Sequence, residues 1–135
     1  MEKTYRVIPR NCTGCRTCEL ACSMVKGKDG ALGQPRIRIF QMKRDAERFM
    51  QMTCLQCIDA ACEQVCPTKA LERNELTGAI EVVQELCVGC GLCEAACPFG
   101  HISLDRETGS PLKCDLCGGN PACARFCPDR ALEMR

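Results

Sequence analysis

Sixteen of the 135 residues are cysteine, and they form four groups of four with none left over. In every group two residues separate the first and second cysteines, and three residues separate the third and fourth. The gap between the second and third cysteines holds two, four, two and five residues in turn. The groups are Cys12-x2-Cys15-x2-Cys18-x3-Cys22, Cys54-x2-Cys57-x4-Cys62-x3-Cys66, Cys87-x2-Cys90-x2-Cys93-x3-Cys97 and Cys114-x2-Cys117-x5-Cys123-x3-Cys127. This repeated spacing is typical of metal ligation or of a disulfide framework.

The residues after the cysteine groups also repeat. The last three groups end in Cys-Pro, at Pro67, Pro98 and Pro128, whereas the first ends in Cys22-Ser23. Each Cys-Pro is followed, at fixed offsets, by a small residue or His and then by Leu or Ile. We therefore predict a repeated unit of ligand loop, short helix and short strand. The proline ends the helix because it lacks an N–H donor, so the end of the first helix is less well defined.

Alternating and turn-flanked segments predict the remaining strands. Residues 36–53 read as a hairpin made of the strands 36–42 and 49–53, with its Met and Phe side chains expected in ordinary packing. The glycine-rich segment 26–33 is expected to be an exposed loop with solvated lysines. Further short strands are predicted at residues 7–8, 79–83 and 112–113.

Composition limits what else the chain can be. It has four Phe, one Tyr and no Trp, so large side chains are too few to fill an interior of this size. A group bound by the cysteines is expected to fill it. The formal net charge of +1 disfavours a cationic nucleic-acid or membrane-surface binder. With no long apolar run and no secretory signal pattern, we expect no direct membrane insertion and a cytoplasmic location, where thiols stay reduced.

The run C-x2-C-x2-C-x3-C-P is a ligand pattern of bacterial ferredoxins, in which the fourth cysteine binds the other cluster of a pair. Cys18 and Cys22 would lie on one helix face about 6 Å apart along the axis, each directed at its own cluster. Four such runs match four [4Fe–4S] clusters. Zinc is a remote alternative, because structural zinc sites usually pair two short knuckles across a longer span. His101, the only histidine, is expected to be structural rather than a ligand.

The chain resembles the four-cluster polyferredoxin subunits of molybdopterin and tungstopterin oxidoreductases and related enzymes. The resemblance rests on Cys12-Thr-Gly-Cys15-Arg-Thr-Cys18-Glu-Leu-Ala-Cys22 and on the widened gaps Cys57 to Cys62 and Cys117 to Cys123. Relatives of this kind include the iron–sulfur subunits of dimethyl sulfoxide reductase and formate dehydrogenase. They also include the small ferredoxin subunits of formate hydrogenlyase, carbon monoxide dehydrogenase and tungsten aldehyde oxidoreductase.

The resemblance implies an α+β fold of tandem bacterial-ferredoxin-like lobes in a single domain, residues 1–135. The inner lobe would span about 54–98, the outer lobe about 1–30 plus 99–135, and the hairpin 36–53 would be an insertion. It also implies a nested ligand pairing, in which the first three cysteines of one group share a cluster with the fourth of another. The four implied ligand sets are Cys12, Cys15, Cys18 and Cys127; Cys22, Cys114, Cys117 and Cys123; Cys54, Cys57, Cys62 and Cys97; and Cys66, Cys87, Cys90 and Cys93.

The expected function is electron transfer, because no catalytic triad, useful carboxylate pair or phosphate loop is visible. By resemblance the chain is a subunit of a hetero-oligomer whose catalytic partner is a pterin-dependent tungsten or molybdenum enzyme, with an aldehyde oxidoreductase as the first choice. A flavin subunit is a further partner to consider. Alternatives are the ferredoxin of a carbon monoxide dehydrogenase, hydrogenase or formate dehydrogenase, a free polyferredoxin, and remotely a zinc-binding interaction module.

Two groups of residues beside the cysteines are expected to tune bound clusters. Glycines let the backbone approach cluster sulfides, and their N–H groups can raise a cluster potential. Basic side chains either offset cluster charge and set which cluster holds the electron, or are ordinary surface groups. The glycines are Gly89, Gly91, Gly118 and Gly119, and the basic residues are Arg16, Lys69, Lys113, Arg125 and Arg130.

Overall fold

The computed structural model describes residues 5–134, which form short strands and short helices. The longest helix has nine residues, and each of the other three has five. In chain order the elements are β1 Tyr5–Val7, α1 Thr17–Val25, β2 Arg38–Gln41, β3 Phe49–Met52, α2 Ala61–Val65, β4 Leu71–Arg73, β5 Ile80–Val82, α3 Leu92–Ala96, β6 Ser103–Leu104, β7 Pro111–Leu112, α4 Ala122–Phe126 and β8 Leu132–Met134. This is a mixed helix and strand fold, as the sequence predicts.

Strands pair antiparallel in four two-stranded sheets within the described residues. Three are local hairpins: β2 with β3, β4 with β5, and β6 with β7. The fourth joins the two ends of the described chain, because β1 pairs with β8 in the register Tyr5 to Met134. This pairing of β1 with β8 brings the first and last cysteine groups together.

Each helix contains at least one cysteine, and the residue after the last cysteine of the group determines where the helix ends. The helices α2, α3 and α4 stop at Cys66, Cys97 and Cys127, each followed by proline. Since Ser23 replaces proline after Cys22, α1 continues to Val25. The helices pack in two pairs, α1 against α4 and α2 against α3.

The interior consists of two hydrophobic clusters, and cysteines form part of both. One cluster joins Ile37, Ile39 and Leu132 to cysteines from both ends of the chain, Cys18, Cys22 and Cys123. The other joins Leu71, Ile80 and Ile102 to the central cysteines Cys62 and Cys93. The shortage of large side chains thus leaves thiols as interior-forming groups.

The predicted hairpin is present, but its packing is only partly as expected. Ile39 is buried and Phe49 packs on the first hydrophobic cluster. Phe40, Met42 and Met50 are exposed, so the prediction that the Met and Phe residues pack internally is wrong for these three. They lie on the turn or on the outer face, because successive residues of a strand point to opposite sides.

Lys26 corrects another expectation. Its Nζ lies 2.7 Å from an Asp115 carboxylate oxygen, and the lysine side chain is only 16% exposed. Lys28 is exposed, as predicted for that loop. The loop after α1 is therefore fastened to the start of the fourth cysteine group.

Across residues 5–134, none of the helices has the length and apolar character needed to cross a membrane.

Candidate iron–sulfur sites

The fold gathers twelve of the sixteen cysteines into three sets of four, and the remaining four are grouped here as the third site. The first, second and fourth sites each surround a cavity lined by four cysteines. The first site is Cys12, Cys15, Cys18 and Cys127; the second is Cys22, Cys114, Cys117 and Cys123; the third is Cys54, Cys57, Cys62 and Cys97; and the fourth is Cys66, Cys87, Cys90 and Cys93.

The third site is recognised from its electrostatics rather than from a cavity. Burial raises the pKa of the Cys62 thiol, and the neighbouring Cys54 and Cys97 act in the same direction. Cys57 packs against the hydrophobic cluster that contains Cys62. Cys54, Cys62 and Cys97 are therefore neighbours, and Cys57 belongs to the same part of the interior.

Neighbouring thiols show that the four sites follow one another. Burial raises the pKa of Cys18 to about 12, with a contribution from Cys123 of the second site. Burial also raises the pKa of Cys114 to about 12, with a contribution from Cys54 of the third site. The pKa of Cys93 is raised by burial and further by Cys62 of the third site. These neighbours link the first site to the second, the second to the third and the third to the fourth.

Helix geometry explains how adjacent sites share an element. Cys18 and Cys22 stand four residues apart, and Cys18 lines the first cavity whereas Cys22 lines the second. Residues at this spacing are neighbours on one face of a helix. The same relation places Cys62 in the third site and Cys66 in the fourth.

The residue before the second cysteine of each group has a positive φ. Glycine supplies this conformation without strain at Gly14 and Gly89, with φ of 75° and 72°. Gln56 and Leu116 adopt it as well, at 51° and 57°. The turn directs the N–H of Gln56 to Cys54 Sγ at 3.5 Å and that of Leu116 to Cys114 Sγ at 3.4 Å. Of these four residues the sequence indicates only Gly89; no sequence pattern indicates that Gly14, Gln56 and Leu116 share its role.

Each Cys-Pro turn supplies another N–H donor to sulfur. The residue four positions after the cysteine donates to its Sγ, and the residue before that donor has a positive φ. The first group, which lacks proline, obtains its donor from a distant residue, because Arg36 N–H lies 3.1 Å from Cys22 Sγ. The repeated donors are Ala70 to Cys66 at 3.3 Å, His101 to Cys97 at 3.5 Å and Ala131 to Cys127 at 3.3 Å.

His101 thus contacts the third site through its backbone, while its ring stacks on Phe99 with centroids 5.7 Å apart. The basic residues divide into two classes. Lys113 is buried. Arg16, Lys69, Arg125 and Arg130 are exposed, which fits the alternative that they are surface groups.

Four thiols per site, several of them accepting N–H bonds, form a donor set suited to an iron–sulfur cluster. A single zinc ion with Zn–S bonds of about 2.3 Å would hold its sulfurs about 3.8 Å apart. Within residues 5–134 no group of three or more His, Cys, Asp or Glu side chains could hold one metal ion. A [4Fe–4S] cluster binds each thiolate through a different iron, so its four sulfur ligands lie farther apart than those around one zinc ion.

Comparison with known proteins gives the same chemistry. The family model for the 4Fe-4S dicluster domain matches residues 46–135, and that for a 4Fe-4S binding domain matches residues 9–25. The chain is similar to the polyferredoxin-like subunit of aliphatic sulfonate oxidoreductase from Pyrococcus furiosus. The two are 41% identical over 90% of this chain and 69% of that protein.

A second relative is much longer than this chain. The beta subunit of the NADH-dependent phenylglyoxylate dehydrogenase of Aromatoleum evansii is 37% identical over 98% of this chain. The chain spans only 31% of the length of that subunit.

Among solved structures, the active site complex BamBC of benzoyl-coenzyme A reductase with 1,5-dienoyl-CoA contains a chain of similar fold. The TM-score is 0.55 at 24% identity, covering 98% of this chain and 75% of the other. At this identity the likeness concerns the fold.

Proposed function

The chain belongs to the 4Fe-4S dicluster family and is an iron–sulfur electron-transfer subunit of an oxidoreductase complex, and from this premise we propose that it carries four [4Fe–4S] clusters in one row. The observation that supports it best is that twelve of the sixteen cysteines line three cavities, four to each cavity. The remaining four, Cys54, Cys57, Cys62 and Cys97, would hold the fourth cluster. A row of this kind provides a path between two redox partners rather than a site for substrate chemistry.

All sixteen cysteines act as iron ligands in this proposal, in the nested pairing of the four sites defined above. Cys22, for example, joins three cysteines of the fourth group, while Cys127 joins three of the first. The N–H donors to Cys22, Cys66, Cys97 and Cys127 stabilise thiolate charge in the folded chain. When bound, a [4Fe–4S] cluster takes up and releases one electron at a time.

The tandem-lobe organisation is part of the proposal. The inner lobe, about 54–98, corresponds to the hydrophobic cluster containing Cys62 and Cys93. The outer lobe, about 1–30 plus 99–135, corresponds to the cluster containing Cys18 and Cys123 and to the pairing of β1 with β8. The hairpin, about 36–53, is an insertion that covers the outer lobe through Ile39 and Phe49.

For the catalytic partner we propose a pterin-dependent tungsten or molybdenum oxidoreductase in the cytoplasm. The support is the resemblance of the cysteine pattern and the relative that serves an aliphatic sulfonate oxidoreductase. The relative from an NADH-dependent dehydrogenase favours a second possibility, in which a flavin subunit exchanges electrons with nicotinamide at one end of the row. In that arrangement the catalytic enzyme and the flavin subunit would bind at opposite ends of the row of clusters.

The outer face of the hairpin is the proposed docking surface for a protein partner. Phe40 is 50% exposed and Met50 44% exposed, and they are register partners on adjacent strands. Lys43 and Arg44 follow in the exposed turn. A pair of apolar side chains beside basic residues suits an apolar patch with an acidic rim.

Anaerobic purification of the tagged chain from its own host tests the proposal. We expect a stoichiometric oxidoreductase partner containing tungsten or molybdenum and pterin. The double change Phe40→Ser and Met50→Ser should reduce its recovery, whereas Leu76→Ser, at a side chain 94% exposed elsewhere, should not. A loaded chain that purifies alone would favour a free polyferredoxin and contradict the subunit assignment.

A further inference from the structure

Lys113 is a buried lysine between two of the cysteine sites. Only 6% of its surface is exposed, which is rare for lysine because the ammonium loses its hydration. It immediately precedes Cys114 of the second site. Its Nζ also donates to the side chain of Gln56, which stands between Cys54 and Cys57 of the third site. The ammonium therefore lies within electrostatic reach of both sites.

The position of Lys113 is fixed by neutral partners. Nζ donates to the side-chain carbonyl of Gln56 and to the backbone carbonyl of Cys114, both at 3.1 Å. Gln56 is itself held, because its amide N–H donates to Cys114 O at 2.8 Å and its carbonyl accepts from Ile80 N–H at 2.9 Å. Gln56, which belongs to the second cysteine group, thus holds Lys113 against Cys114 of the fourth cysteine group.

No carboxylate pairs with this ammonium in the part of the chain that the structure describes. The ion pairs there involve Lys26, Arg6, Arg16 and Arg48, not Lys113. A buried charge without a counter-charge is costly. The thiolates of the second and third sites, and the anionic centres that they are proposed to hold, are the groups placed to supply that negative charge.

We propose that Lys113 is the shared counter-charge of the second and third sites and raises the reduction potentials of the centres held there. This inference rests on the proposed function. Reduction adds one negative charge to a centre, and a nearby positive charge in a low-dielectric interior favours the form with more negative charge. An electron entering at either end of the row is thereby stabilised in the middle.

The test is a potentiometric titration of the full, cluster-loaded chain followed by electron paramagnetic resonance. Lys113→Met removes the charge while keeping an unbranched side chain of similar length. We expect two of the four midpoints to fall, each by a tenfold or larger change in the reduction equilibrium, which is about 59 mV for one electron. The other two midpoints should stay in place. Unmoved midpoints, or an equal shift of all four, would overturn the proposal.

Two further variants separate charge from structure. Lys113→Arg keeps the charge, so its two middle midpoints should stay within the wild-type range. Arg125→Gln removes an exposed charge two residues from Cys123, and water screening should leave all four midpoints nearly unchanged. A shift from Arg125→Gln equal to that from Lys113→Met would show that the buried position has no special role.

Gln56→Glu covers the case in which Lys113→Met does not retain its clusters. The new carboxylate would lie beside Nζ and cancel the charge, so the same two midpoints should fall. Unchanged midpoints in that variant count against the proposal. Iron and acid-labile sulfide in the wild-type chain are measured first: their absence refutes the proposed function, whereas four clusters with an indifferent Lys113 refute this inference alone.

Discussion

The hydroxyl of Tyr5 lies 3.3 Å from the Sγ of Cys123, so the first described strand contacts a proposed ligand 118 positions away in the chain. Burial raises the pKa of Tyr5, and the neighbouring Cys123 raises it further. The phenol therefore keeps its proton, and it is the donor when Cys123 is a thiolate ligand. Tyr5 is the only tyrosine, and no sequence pattern indicates this contact.

Tyr5→Phe deletes this hydrogen bond and keeps the aromatic packing. A net hydrogen bond of about 0.5–1.5 kcal/mol corresponds to roughly 20–60 mV for one electron. We expect the midpoint of the centre at the second site to fall by at most that amount, because donors to sulfur raise cluster potentials only through the part of the bond that strengthens on reduction. Potentiometry with spectroscopic detection measures it, and an unaltered midpoint with full iron content would contradict the assigned role.

The nested pairing predicts which cysteine changes act on the same centre. Cys66→Ser and Cys90→Ser should each remove or alter the centre at the fourth site, leaving about twelve of sixteen irons if that centre is lost. Cys62→Ser, in α2 and only four residues before Cys66, should affect the third site instead. Electron paramagnetic resonance spectra of the reduced variants show which centre each change removes or alters.

A match between the spectra of Cys62→Ser and Cys66→Ser would contradict the pairing. Full loss of iron in every variant would show that the chain cannot hold only three centres. A milder substitution such as Cys66→Asp would then be used, and the resonance signals of the centres that it retains would be compared.

Gly14→Ala tests the turn before Cys15. A Cβ there would clash with the ring of Phe49, and the φ of 75° disfavours any side chain. We expect destabilisation of about 2–4 kcal/mol from strain and overpacking. Gly78→Ala is the control, since its φ is 77° but a Cβ would meet nothing within 4 Å, so about 1–2 kcal/mol is expected. The urea concentration at which each variant loses its clusters under anaerobic conditions ranks their stabilities. Equal values for Gly14→Ala and Gly78→Ala would exclude the clash with Phe49.

The ion pair between Lys26 and Asp115 fastens the end of α1 to the fourth cysteine group. Asp115 also accepts an N–H bond from Cys117 at 2.9 Å. A double-mutant cycle of Lys26→Met and Asp115→Asn isolates the pair, because asparagine retains an acceptor for Cys117. We expect a coupling energy of roughly 0.5–1 kcal/mol for this partly exposed pair. Additive effects of the two changes would show that the pair contributes nothing.

Removal of the metal should unfold the chain. Cysteines form part of both hydrophobic clusters, and the remaining buried side chains are mostly Ala, Ile and Leu. Without the bound groups the interior would lose what fills the space between the thiols, and binding energy that supports folding would be lost. Circular dichroism of chelator-treated, reduced protein should show little native structure. A cooperative melt of that apo material would contradict the expectation.

Much of the fold follows from the spacing of the cysteines and prolines. Each Cys-Pro predicts the end of a short helix, and the strands that follow Pro67 and Pro128 lie where the repeat places them. The hairpin β2–β3 is predicted by alternation alone. These features are local, so neighbouring residues determine them.

The contacts that connect distant groups were not predictable in the same way. Nothing near Lys113 in the sequence indicates that it is buried against Gln56, and nothing near Tyr5 indicates Cys123 as its neighbour. Similarly, Arg36 replaces a missing turn donor at Cys22 from fourteen positions away. Such contacts depend on how the four cysteine groups come together, which the spacing within one group does not encode.

The most direct measurement of the central claim is iron and acid-labile sulfide analysis of anaerobically isolated protein, with resonance spectra after dithionite reduction. Four clusters require about sixteen irons and sixteen sulfides per chain, and we expect signals from several interacting [4Fe–4S] centres. Colourless protein that contains zinc without sulfide, and that shows no signal after reduction, would contradict it.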